Sequence, residues 1–158
     1  MKLLEIIQRD AIAPELEATS RDGAIGKLVD MLIAAGNLPA DRRDECVKAV
    51  TKREKRGSTG FGHGVAVPHA KMSGLDTAVA ALGNVPAGVD FNALDRGDVH
   101  SIVLLLSPED HPEAHLEAME VIFGNLSQET FRRFLRQAES TDQIITLLEE
   151  ADASQLNS

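Results

Sequence analysis

Between Arg53 and Lys71 the chain reads REKRGSTGFGHGVAVPHAK, which brings arginines, two hydroxyls, four glycines and two histidines into one short stretch. Glycine costs backbone entropy and adds nothing to a core, so Gly57, Gly60, Gly62 and Gly64 imply sharp turns or close approach to a ligand. His69 follows Pro68, whose ring fixes its own φ and removes a backbone donor, and it closes the strand-like run VAV. An imidazole at the end of a rigid element is a good nucleophile, because its ordinary pKa near 6.5 leaves a neutral nitrogen at cell pH. A guanidinium stays charged at any working pH and grips two oxygens of a phosphoryl group at once, which gives Arg53 a possible role beside it. The competing reading places Arg53 with Lys52, Lys55 and Arg56 in a solvated charged run. Ser58 and Thr59 either bond near phosphoryl oxygens or cap the loop.

The other histidines are His63, His100, His111 and His115. His115 begins an apolar helical pattern, and a helix N-terminus stabilises nearby negative charge by roughly 0.3 to 1 kcal/mol at the surface. His111 and His115 stand four apart and share a helix face, so a metal pair with His63 as third ligand is an alternative, one with no Glu following His111. The glycine run lacks the Lys-Ser/Thr that ends a Walker loop and the spacing of a dinucleotide fingerprint, so ATP and NAD are disfavoured. No cofactor or metal is expected.

The stretch resembles the active-site signature of the enzyme IIA domains of the phosphoenolpyruvate-dependent phosphotransferase system, in the fructose/mannitol branch that includes the nitrogen-regulatory IIA proteins. The matching features are Arg53-Glu54, the GSTG-x-G run with Gly60, Pro68-His69, the later VDFNA run, and His115-Leu116 ahead of an apolar helix. The resemblance implies that His69 carries the phosphoryl group, that His115 supports it, and that Arg53 acts on its oxygens. His63 stands where many members carry Asn or another polar residue. It also implies a phosphorylated HPr-like donor and onward transfer, either to a IIB domain or into phosphorylation-dependent binding of regulatory target proteins. The GSTG-x-G-x-G-V-A-V-PH-x-K run and the lack of a IIB-like cysteine site or membrane part favour the nitrogen-regulatory branch, with a sugar-specific IIA as the alternative. A histidine-based metal-dependent hydrolase is a more distant one.

To position these groups the chain offers helical spacing at Ile25, Leu28, Val29, Leu32 and Ile33 behind a Ser20 or Thr19 cap, stopped by Gly36-Asn37. A second helix carries Cys46, Val47 and Val50. Val65–Val67 and Thr77–Leu82 read as short strands, and Asp98–Leu106 ends in IVLLL, the continuous apolar run of a central strand buried on both faces. Pro112 suits a first helical turn, with Leu116, Met119, Phe123 and Leu126 on one face. Phe131, Phe134 and Leu135 mark another helix, and Ile144, Ile145, Leu147 and Leu148 a last one. The expected architecture is α/β, a single domain over residues 1–150 with a mixed, mostly five-stranded sheet flanked by helices, then a flexible tail at 151–158.

Composition narrows the function. A net charge of -9 and the absence of Trp and Tyr argue against nucleic acid and against an anionic membrane as partner. Cys46, the single cysteine, excludes an internal disulfide. The opening MKLLEIIQRD is too charged for a signal peptide and no later run reaches membrane-spanning length, so a cytoplasmic protein without membrane insertion is expected.

Overall fold

The IVLLL run lies at the centre of the sheet. Ile102, Leu104 and Leu106 face one hydrophobic core and Val103 and Leu105 the other, so alternation along one strand feeds both. The computed structural model describes residues 1–156. Its strands are β1 (Ile7–Ala13), β2 (Gly60–Gly62), β3 (Val65–Ala66), β4 (His69–Met72), β5 (Val79–Val89) and β6 (Val99–Pro108). The helices are α1 (Leu3–Ile6), α2 (Arg21–Ala34), α3 (Arg43–Arg56), α4 (Pro112–Leu126), α5 (Glu129–Gln137) and α6 (Thr141–Leu156).

Five strands follow the order β1-β5-β6-β3-β2, and the sixth, β4, also pairs with β6. The sheet is mixed: β1 is parallel to β5, β5 antiparallel to β6, β3 and β4 parallel to β6, and β2 antiparallel to β3. Helices α2 and α3 cover one face through Ile25, Leu28, Leu32, Cys46 and Val50. Helices α1, α4, α5 and α6 cover the other, through Leu3, Ile122, Leu126, Leu135, Ile144 and Leu148. Burial pushes the Cys46 thiol up to about 11, so it stays protonated and acts as a small apolar core group.

Three local expectations change. His69 opens β4 instead of closing the VAV strand, yet Val65↔Ser101 and His69↔Leu105 share one register against β6. The two short strands are one parallel track interrupted at Val67-Pro68, where proline has no N–H to give the ladder. The buried stripe of α4 is Ala118, Ile122 and Leu126, while Leu116 is 64% exposed on the first turn. Phe134 is likewise exposed, leaving Phe131 and Leu135 to anchor α5.

Helix α6 runs past residue 150, and the buried carboxylate of Asp152 accepts the backbone N–H groups of Leu3 (2.7 Å) and Leu4 (3.1 Å). It caps α1, whose preceding Lys2 side chain makes no such bond. Residues 157 and 158 of the expected tail lie outside the described residues. Removing the cap in Asp152→Ala leaves two amides without their charged partner, for an expected loss of about 1.5 to 3 kcal/mol in urea unfolding. An unchanged midpoint would mean that water replaces the carboxylate without penalty.

Candidate functional site

His69 sits where the interrupted track resumes. Its neighbour Pro68 accepts from Leu105 N–H at 3.0 Å, which fixes the backbone on both sides of the interruption. The half-buried ring places Nδ1 2.8 Å from the Val67 carbonyl oxygen. A carbonyl only accepts, so Nδ1 carries the proton and the neutral ring keeps its lone pair on Nε2. One backbone oxygen thereby selects which nitrogen is nucleophilic.

His115 comes from the first turn of α4, with Pro112 at the first helical position and His111 before it. Its ring lies 5.4 Å from that of His69, centroid to centroid, and its Nδ1 lies 2.8 Å from Ser107 Oγ at the end of β6. The fold thus brings together two histidines far apart in sequence, one from a strand start and one from a helix start. Both pKa values are lowered from the ordinary 6.5, chiefly by burial; for His69 the Val67 carbonyl opposes this, while Arg53 adds to it. For His115 the second cause is His69 itself. Both rings therefore remain neutral further into acid than a free imidazole does. The sign follows: Nε2 of His69 stays unprotonated as pH falls through 6.5, so its chemistry should lose rate only below that value. A histidine NMR titration showing either ring above 6.5 would contradict this.

Arg53 lies in the last turn of α3, close enough to His69 for its charge to be felt there, and its Nη1 donates to the Gly57 carbonyl at 2.9 Å. It is half-buried and differs from exposed Lys52, Lys55 and Arg56 beside it. Its neighbour Glu54 is 2% exposed and accepts from Thr59 N–H (2.7 Å) and Thr59 Oγ (2.6 Å). Ser58 Oγ donates to the Phe91 carbonyl at 2.7 Å and accepts from Gly60 N–H at 3.0 Å. Both loop hydroxyls are therefore engaged in bracing the loop.

The glycines divide by role. Gly62 and Gly64 have φ of +114° and +77° around His63 at +61°, a left-handed turn that histidine and asparagine tolerate better than most residues. Asp95 secures it by accepting His63 N–H at 3.2 Å and Gly97 N–H at 3.0 Å. Gly60 meets Ala93 so closely that a Cβ would lie 2.9 Å from the alanine Cβ. Gly57 has an extended backbone with open space around it, so neither turn nor contact demands glycine there.

The remaining histidines stand apart. His111 faces Glu113 at 3.6 Å, His63 is exposed at its turn, and His100 lies between the Val85 carbonyl and Arg136. Among the described residues no three His, Cys, Asp or Glu side chains converge as metal ligands would. Two contributors escaped the sequence reading. The Val67 carbonyl gives no side-chain signal at all, whereas Ser107 was visible as the polar residue ending an apolar run, on the same strand face as Val103 and Leu105.

Residues 5–151 match the family model described as "Phosphoenolpyruvate-dependent sugar phosphotransferase system, EIIA 2". The chain is 32% identical over 152 residues to a PTS system fructose-specific EIIABC component from Bacillus subtilis (strain 168), covering 96% of this chain and 24% of that protein. It thus spans about a quarter of that relative's length. A nitrogen regulatory protein of Pseudomonas aeruginosa is 34% identical over 123 residues, 78% of this chain and 80% of that one. The crystal structure of nitrogen regulatory protein IIA-Ntr from Neisseria meningitidis superposes with a TM-score of 0.80 at 31% identity, covering 91% of this chain and 97% of that one.

Proposed function

Because the chain belongs to the EIIA type 2 family of the phosphoenolpyruvate-dependent sugar phosphotransferase system, we propose that it is a phosphohistidine relay in which His69 accepts and passes on a phosphoryl group. The observation that carries the reading is the Nδ1–H bond from His69 to the Val67 carbonyl, which leaves Nε2 as a neutral nucleophile beside His115. The lone pair on Nε2 attacks the phosphorus of an HPr-like phosphohistidine donor. A new N–P bond forms, the donor's N–P bond breaks, and its electron pair returns to a donor ring that retains its other N–H and leaves neutral. The phosphorylated His69 ring gains positive charge, and the Val67 carbonyl, already accepting its Nδ1–H, stabilises it. Phosphoryl transfer asks for positioning and charge stabilisation, which Arg53 and His115 supply.

The nitrogen-regulatory role is the first reading, supported by the likeness to the Pseudomonas and Neisseria proteins along most of their lengths. Phosphorylation places a dianionic phosphoryl group on a ring that becomes cationic, a net gain of about one negative charge at the site together with new acceptor oxygens, enough to alter a protein interface. The 32% identity to a fructose-specific component supports a second reading, transfer to a IIB domain. The protein is to be incubated with labelled phosphoenolpyruvate, enzyme I and HPr, and acid-labile label located on His69. Label that never appears, or appears on another residue, refutes the relay. Phosphorylated and unmodified protein should then retain different partners; identical sets with efficient transfer to a fructose- or mannitol-type IIB domain would establish the sugar-specific role.

Arg53→Lys tests the clamp. An ammonium is a point charge and cannot make the planar contact to two oxygens, so transfer should lose most of its rate with the formal charge kept. The lost bond to Gly57 should cost about 0.5 to 1.5 kcal/mol in stability. Normal transfer with reduced stability would make Arg53 a brace of the loop only, as its contact with Gly57 allows.

A further inference from the structure

Ser107 is fully buried, and among the described residues the one hydrogen-bond partner of its hydroxyl is His115 Nδ1 at 2.8 Å. A hydroxyl carries one proton and a buried one needs an acceptor, since leaving it unpaired incurs its full desolvation penalty. Nδ1 of His115 is the acceptor within reach. A neutral imidazole that accepts at Nδ1 must carry its proton on Nε2. His69 is the mirror case, its Nδ1 protonated by the demand of a carbonyl and its Nε2 left bare.

We propose that Ser107 is a positioning residue that locks His115 as an Nε2–H donor, so that the two facing histidines are held as one nucleophile and one hydrogen-bond donor. This rests on the relay reading and adds what makes its second histidine effective. Placement supports it. Ser107 lies on β6 directly opposite Lys71 of β4, two residues from the His69↔Leu105 pair, so the strand that fixes His69 also fixes the hydroxyl that orients His115. The backbone that carries the hydroxyl is held by β4 on both sides, through Ala70↔Leu106 and Met72↔Pro108. A donor aimed at the charge that develops on the transferring oxygens is most useful when it needs no reorientation during reaction.

The decisive measurement needs no donor protein: long-range 15N–1H correlation spectra of the histidine rings in the wild-type protein. His115 should show a protonated Nε2 and an Nδ1 that accepts a hydrogen bond. A protonated Nδ1 overturns the proposal, whatever the relay assay finds. In Ser107→Ala the Nδ1 resonance should move to the value of an unbonded ring nitrogen, and transfer should slow about tenfold, the effect of losing one hydrogen bond. Ser107→Ala added to His115→Ala should slow transfer no further, because the hydroxyl acts only through that ring. Equal slowing in both backgrounds, or a Ser107→Ala protein with wild-type rate, overturns it. A wild-type protein that accepts no phosphoryl group would refute the relay while the spectra still decide the state of His115.

Discussion

His69→Ala should remain folded and take up no phosphoryl group. The side chain contributes one hydrogen bond, to a carbonyl two residues away, and is partly exposed and outside both hydrophobic cores. The backbone of β4 keeps its pairing with β6 whatever the side chain is, so the stability loss should stay near 1 kcal/mol. Chemistry has no such reserve. His63, His100 and His111 lie outside the pair formed with His115, and His115 has its Nδ1 engaged by Ser107. The check is incorporation from labelled phosphoenolpyruvate through enzyme I and HPr, read beside a thermal melt. Label at the wild-type level in a protein with a normal melt would place the acceptor elsewhere and remove the central claim. A collapsed melt would instead make His69 structural, against the exposure and single bond seen for it.

The sequence marked candidate site residues more readily than the scaffolding around them. His69, His115 and Arg53 stood out as candidates among five histidines and several arginines because Pro68-His69, His115-Leu116 and Arg53-Glu54 carry the family resemblance. Their nearness was not legible. It depends on β4 lying parallel to β6 and on α4 starting just beyond the end of that strand, a matter of topology. The central strand was legible because IVLLL is apolar on both faces. Strand β1 was not, since the run IQRDAIA carries exposed Arg9 and Asp10 at the sheet edge, which breaks the two-residue period. Strand β5 continues past Leu82 through Gly83 and Asn84, residues of low strand propensity that β6 nevertheless pairs, then breaks register across Pro86 before pairing resumes at Val89. The loop hydroxyls left two readings open because Ser58 and Thr59 have short side chains with many possible acceptors. Their actual partners, the Phe91 carbonyl and Glu54, are set by tertiary contacts that no local pattern encodes.

His115→Ala should still bind its donor and accept the phosphoryl group, but about a hundredfold or more slowly. Removing one preorganised donor to a developing charge raises comparable barriers by roughly 2.7 to 4 kcal/mol. The loss belongs in the rate of transfer at saturating donor, because the interaction strengthens as charge moves onto the transferring oxygens and adds little to docking. Leu116, exposed beside it on the same helical turn, remains available for contact with a partner in this variant, so donor affinity should change little. His115→Gln separates two explanations. A glutamine amide can donate a hydrogen bond and cannot serve as an acid or base near neutral pH, so partial recovery of rate with Gln would assign His115 the role of a neutral donor. No recovery, with an acid limb in the wild-type profile tracking the His115 titration, would point to proton transfer instead. Wild-type rates in both variants would mean that the ring 5.4 Å from His69 is a bystander, and that Arg53 and the loop backbone stabilise the transferring group without it.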